Sequence, residues 1–268
     1  MRPIYLQIPI IICLFMMGCL SGEKGEPSRD VSAIGDAAQI SLSCINLEKS
    51  LTFYEKLDFS ILEVKLDAQT PWAVISDGSQ LIMLSQNDFP SPALTFYGKS
   101  LPDRIKRLQA SGLDLETISD DQGQIKSAIL KNPMNLGITL IDFDPNKLLK
   151  PVRQPDFALG YFANIKIAVS DLTEALKFAE KAGFTIEVKE AVNSPQVFLE
   201  EAKLKINLLP EGSIDRPALC YTNQNEAELI SRLKNAQIEF QKTQIEQSSW
   251  VRFESPDKQL FIIELAVQ

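Results

Sequence analysis

Residues 39–59 read QISLSCINLEKSLTFYEKLDF, and residues 164–184 read NIKIAVSDLTEALKFAEKAGF. The first stretch opens with Ile40, Leu42 and Cys44 alternating against Gln39, Ser41 and Ser43. A period of two is what a strand with one buried face requires. Asn46 then stands where a helix needs a side chain to receive its first free amides. Leu47, Leu51, Tyr54 and Leu57 follow at helical spacing, so the strand runs into a helix that closes at Asp58-Phe59. Downstream, Phe59 to Leu66, Trp72 to Ser76 and Gln80 to Ser85 read as strands, the last two joined by an Asp77-Gly78 turn. The unit is β-α-β-β-β.

The next segment repeats it. Ala93 to Tyr97 predicts a strand, and Ser100-Leu101-Pro102-Asp103 predicts a helix start of capping-box type with proline in the first turn. Ile105 and Leu108 form the apolar stripe of that helix, and Gly112 ends it. Leu113 to Ile118, Lys126 to Leu130 and Gly137 to Phe143 are the strands that follow. A shift of 125 residues then lays the second half on the first. Gln39 falls on Asn164, Asn46 on Asp171, Phe53 on Phe178 and Phe59 on Phe184, while Pro92-Ala93-Leu94 meets Pro217-Ala218-Leu219. Cap, stripe and alternation all stay in one register. The expectation is an α+β chain of four such units paired into two domains, residues 37–144 and 162–268, with a proline-bearing linker at 145–161.

Composition narrows the function. A chain of 268 residues with 45% hydrophobic and 23% charged content can bury a sizeable core. Its net charge of -8 argues against a nucleic-acid partner, which needs a surplus of lysine and arginine. The amino terminus has its own logic. Arg2 precedes an apolar run from Pro3 to Met17 that is too short to span a bilayer. Met16-Met17-Gly18-Cys19 follows, and it resembles a bacterial lipobox. That resemblance implies a signal peptide over 1–18, cleavage before Cys19, acylation of its sulfur, and a polar linker over 19–36. Membrane attachment through Cys19 and an extracytoplasmic, lipid-anchored location follow as expectations. Leu20 after the cysteine leans towards the outer membrane. Cys44 and Cys220 fall in separate halves and read as two isolated buried thiols.

The repeated stretch also resembles the vicinal oxygen chelate superfamily, which includes glyoxalase I, bleomycin and fosfomycin resistance proteins and extradiol dioxygenases. Residues 39–59 and 164–184 carry the likeness, together with Asn132-Pro133-Met134-Asn135 and Ser255-Pro256-Asp257-Lys258 before the last strands. The resemblance implies two tandem half-barrels with helices on the convex side and a ligand on the concave side. It also implies metal ligands, histidine and glutamate in the family's enzymes, on the first and last strands of each unit.

Those positions fall here near Gln39, Met83, Ala93 and Thr139, and near Asn164, Asn207, Ala218 and Ile262. The 268 residues contain no histidine. Amides are weak ligands for hard divalent ions, methionine suits soft metals, and alanine offers nothing. Glu264 is the nearest carboxylate and a candidate for the second concave face, with an exposed strand-end charge as the alternative reading. Lys205 beside Asn207 and Trp250 opposite Val251 and Phe253 are further candidates for the second concave face. Asp120-Asp121 and Glu200-Glu201 read as solvated pairs. No cofactor is expected.

The first expectation is a membrane-anchored, non-catalytic protein binding a small molecule or a partner, for which the bleomycin resistance proteins are a precedent. A diverged lyase or isomerase with a non-histidine site, and a structural surface-interaction module with filled cavities, are the alternatives.

Overall fold

The computed structural model describes residues 32–152, 157–189, 196–245 and 248–265. The apolar leader and Cys19 lie outside them. The first half runs β1 (Ala37–Ser43), α1 (Leu47–Glu55), β2 (Ser60–Lys65), β3 (Trp72–Ser76), β4 (Leu81–Ser85), β5 (Ala93–Gly98), α2 (Leu101–Ala110), β6 (Leu115–Ser119), β7 (Ile125–Leu130) and β8 (Gly137–Asp142). A 3-10 turn at Pro145–Lys147 follows. The second half runs β9 (Tyr161–Val169), α3 (Leu172–Ala182), β10 (Thr185–Lys189), β11 (Gln196–Glu201), β12 (Leu204–Pro210), β13 (Ala218–Asn223), α4 (Glu226–Asn235), β14 (Phe240–Ile245), β15 (Ser248–Glu254) and β16 (Leu260–Leu265). The fold is α+β, two eight-stranded mixed sheets built from four β-α-β-β-β units.

Each sheet has one order, β2-β3-β4-β1-β5-β8-β7-β6 and its counterpart β10-β11-β12-β9-β13-β16-β15-β14. The strand that opens each half therefore lies at the middle of its sheet. β1 pairs parallel with β4 and antiparallel with β5, and β9 does the same with β12 and β13.

Local chemistry explains the helix starts. The Asn46 side chain accepts from the Lys49 amide at 2.9 Å, and Asp171 accepts from Glu174 at 2.9 Å. Asn225 caps α4 in the same way. Ser100 departs from expectation. It sits in the left-handed region at φ 59° and makes no side-chain cap bond. From that conformation its hydroxyl does not reach the first free amides. The first turn of α2 is tied down by Arg104 instead, whose buried guanidinium donates to the carbonyls of Ile34, Gly98 and Ile141, each at 2.7 Å.

One hydrophobic core serves both halves. Ile40, Leu42, Phe96 and Leu140 of the first sheet share it with Ile165, Ile206, Tyr221 and Phe261 of the second. Tyr54 on α1 stands 6.2 Å from Phe261 on β16, and Phe96 on β5 stands 6.1 Å from Phe184 after α3. Polar bonds cross the same seam. The Tyr221 hydroxyl donates to Asp77 at 2.9 Å, the Ile45 amide donates to Asp257 at 2.8 Å, and Arg232 pairs with Asp58. With one face of every central strand committed to this core, the other face is what remains for a ligand.

Gly160 is the tightest point of the chain's entry into the second sheet. Its φ is +90°, and a Cβ there would stand 2.1 Å from the carbonyl oxygen of Thr222. Backbone strain and a clash with main chain add together. Gly160→Ala is expected to lower unfolding stability by at least about 2 kcal/mol, read as a shifted urea midpoint. Gly123→Ala shares the positive φ but has nothing within 4 Å of the added atom, and it should cost clearly less.

Candidate functional site

Alternation divides each central strand between core and concave face. On β9, Ile165 and Ile167 enter the core, so Asn164 and Lys166 face the concavity. On β12 the core takes Ile206 and Leu208, leaving Lys205 and Asn207. Leu219 and Tyr221 on β13 go inward, so Ala218, Cys220 and Thr222 go outward. Ile262 and Glu264 on β16, with Trp250 and Arg252 on β15, complete the face.

Register brings these residues together. Lys166 lies between Asn207 and Ala218, Asn164 lies beside Cys220, and Glu264 lies between Thr222 and Trp250. Ala218 and Cys220 are short, so the Lys166 side chain can cross β13. Its ammonium meets Glu264 Oε1 at 2.5 Å and sits 5.3 Å from the centre of the Trp250 ring. The lysine side chain is only 10% exposed and the carboxylate 36%. Such a pair is held by Coulomb attraction in a reduced dielectric, reinforced by the indole face. Glu264 is therefore not the exposed strand-end charge of the alternative reading. Lys166 was missed: alternation points it into the concavity, but its carboxylate partner lies two strands away and 98 residues on.

The other positions behave differently. Asn164 and Asn207 are 7% and 2% exposed, and the Oδ1 atom of each accepts no hydrogen bond from the described residues. Unpartnered buried acceptors are costly, and these two amide oxygens keep bonding capacity that no described residue uses. Lys205 is half-exposed and pairs with Glu200 at 3.1 Å, while Arg252 pairs with Asp215 at 2.8 Å. Glu201 is half-buried rather than solvated. It accepts from the Ser32 hydroxyl, and burial raises its pKa.

The first concave face brings Gln39, Thr95 and Thr139 into one row, with Met83 beside Ser41 in the next. The Tyr97 hydroxyl donates to Gln39 at 2.5 Å and Ser41 lies 3.4 Å from Thr95, while the buried Ser85 and Ser127 hydroxyls have no partner among the described residues. Trp72, Val74 and Leu81 form a separate apolar cluster with Leu62, Ala68 and Leu148. Two clefts lie off the centres of both concave faces. One, of about 810 Å³, is lined by Asp77, Tyr161, Thr222, Asn225 and Arg232 along the seam. The other, of about 1110 Å³, lies between α1 and the β14–β15 edge.

Residues 37–199 match the family model of the Glyoxalase/Bleomycin resistance protein/Dioxygenase superfamily. The chain belongs to that superfamily. Among solved structures it resembles a catechol 2,3-dioxygenase, with a TM-score of 0.59, 15% identity and 90% of each chain covered. It also resembles the homoprotocatechuate 2,3-dioxygenase of Arthrobacter globiformis, with a TM-score of 0.58 and 16% identity over 90% of this chain and 82% of that one. An extradiol ring-cleaving dioxygenase from B. fuscum gives 0.57 and 15% over 92% and 75%. At these identities the likeness is one of fold. No curated protein matches the chain.

The superfamily's enzymes imply a divalent metal, and the donor set here does not fit one. The first-strand positions carry Gln39 and Asn164, and Glu264 is already bonded to an ammonium. Among the described residues, no three histidines, cysteines or carboxylates converge.

Two outcomes test this geometry. Lys166→Met leaves a partly buried carboxylate unpaired and should cost about 1–3 kcal/mol. Lys205→Met breaks a solvated pair and should cost less than about 1 kcal/mol; urea unfolding of both variants decides. The second outcome concerns the thiols. Burial raises both Cys44 and Cys220 from 9.0 to about 12, Asp257 adding to the first, while Lys166 and Glu264 oppose each other at the second. A raised folded pKa means the native state resists thiolate formation. That contribution is complete below about pH 9 and is lost as pH climbs towards 12. Iodoacetamide at pH 8 should leave both cysteines unmodified in native protein and alkylate both in denaturant, as read by mass spectrometry.

Proposed function

We propose that this chain is a lipid-anchored, non-catalytic binding protein of the bacterial cell envelope, holding a small molecule on the concave face of its second sheet. The observation that carries the reading is a set of two buried amide oxygens, Asn164 and Asn207, without donors among the described residues, beside Lys166, Glu264 and Trp250. A face built only to be solvated does not bury amides unpartnered, and a face built only to be filled would resemble the Trp72 cluster of the first half. A donor set ill-suited to a divalent ion supports binding over the metal chemistry of the superfamily's enzymes. Attachment rests on Met16-Met17-Gly18-Cys19 and the apolar run before it. Two or more acyl chains on Cys19 would hold the protein firmly, and Leu20 favours the outer membrane.

One observation favours a second reading, a diverged lyase or isomerase. Glu264 does not stand alone, and a lysine and a carboxylate 2.5 Å apart could serve as acid and base. Against it, each partner neutralises the other, which leaves no poised base in the resting site.

Binding without catalysis is tested on the purified full chain by metal analysis and by chemical-shift mapping with a fragment library. Fragments should shift Asn164, Lys166 and Asn207. Stoichiometric, tightly held metal with an activity lost on chelation would sink the reading. Anchoring is tested by Cys19→Ser, expected to abolish acylation of the amino-terminal peptide and to move the protein out of the membrane fraction.

A further inference from the structure

The cations of the second concave face already face carboxylates: Lys166 with Glu264, Lys205 with Glu200, Arg252 with Asp215 and, at the edge, Lys189 with Glu187. The groups left wanting are neutral. Asn164 and Asn207 offer acceptor oxygens, each nine-tenths or more buried, and neither has a donor among the described residues. They are diagonal neighbours on adjacent parallel strands, since Asn207 stands opposite Lys166, one same-face step from Asn164. Trp250 is 37% exposed and offers a flat apolar surface at the rim. The floor between is apolar, formed by Ala218, Cys220 and Ile262.

Each ligand class meets this arrangement differently. A carboxylate could take Lys166, but it would displace Glu264 and set an anion against two amide oxygens. An ammonium could donate to the amides, but Glu264 and Asp215 are already bonded to Lys166 and Arg252, which leaves it no free carboxylate beside them to pair with. A neutral molecule bearing several hydroxyls donates to both amides and accepts from Lys166 without breaking an ion pair. Its C–H face can lie on Trp250. Resting on the proposal that this face is a binding site, we infer that its ligand is a neutral polyhydroxylated molecule, a monosaccharide or short glycan.

The two tryptophans make the test direct. Trp72 is buried in the first half, so Trp72→Phe leaves Trp250 as the sole indole emitter. The full chain, in a detergent without a sugar headgroup, is titrated with methyl β-glucoside and N-acetylglucosamine, and in parallel with benzoate and benzylamine. The expected result is a saturable emission change at millimolar sugar, weakened at least fivefold by Asn207→Ala or Asn164→Ser and unchanged by Lys106→Met on the exposed side of α2. A response to benzoate or benzylamine alone would overturn the ligand class while leaving the face a binding site. Silence towards both sugars, with fragments still shifting the face, would overturn it equally. Should a variant fail to fold, sugar-induced shifts of the Asn164 and Asn207 side-chain amides in the unsubstituted chain decide the matter: their presence supports the inference and their absence overturns it.

Discussion

The structure depends on one constraint: both sheets turn their helix-bearing faces into a single apolar core. Tyr54 on α1 reaches Phe261 on β16, and Phe96 reaches Phe184, so neither half completes its core alone. Burial of this kind dominates the stability of a chain this long. It also fixes register. A slip of one residue on β9 would send Ile165 and Ile167 to the concave side and drive Lys166 into the core. The chemistry of the concave faces is therefore set by a requirement that has nothing to do with ligands.

Within that constraint the two halves have diverged. The strand positions that hold Gln39, Ser41 and Met83 in the first hold Asn164, Lys166 and Asn207 in the second. Opposite Ile141 stands Ser127, while opposite Glu264 stands Trp250. On the first face Tyr97 bonds Gln39 and Ser41 lies near Thr95, while the buried Ser85 and Ser127 hydroxyls have no partner among the described residues. The second leaves two amides open and imports a cation, an anion and an indole. The duplication thus supplied two equivalent frames, of which the second sets an ion pair beside an indole.

Much of the frame was legible in the sequence because its causes are local. Asn46 and Asp171 cap helices through amides three residues ahead, and Asp77-Gly78 turns where its side chain bonds Ser79 and Gln80. The faces of the strands followed from period two. What was not legible depended on distance. Ser100 looks like a cap, yet the anchor of α2 is Arg104, whose acceptors come from three separate segments. Glu264 read as a lone charge because its partner is visible only once β9, β13 and β16 are known to be neighbours. The reach of Lys166 further required Ala218 and Cys220 to be small, a condition on a third strand.

The absence of histidine acquires its meaning from this arrangement. A divalent ion offers vacant coordination positions at which a ligand's oxygens can be polarised and exchanged. The Lys166 ammonium offers up to three N–H donors on a covalent tether, already engaged by Glu264 and the indole. It can orient a hydroxyl or carbonyl, but its charge is spoken for. A concave face organised around a neutralised pair and two waiting amides is suited to recognising shape and hydrogen-bond pattern rather than to stabilising a developing charge. That balance, more than the missing residue type, is what the proposed binding role rests on.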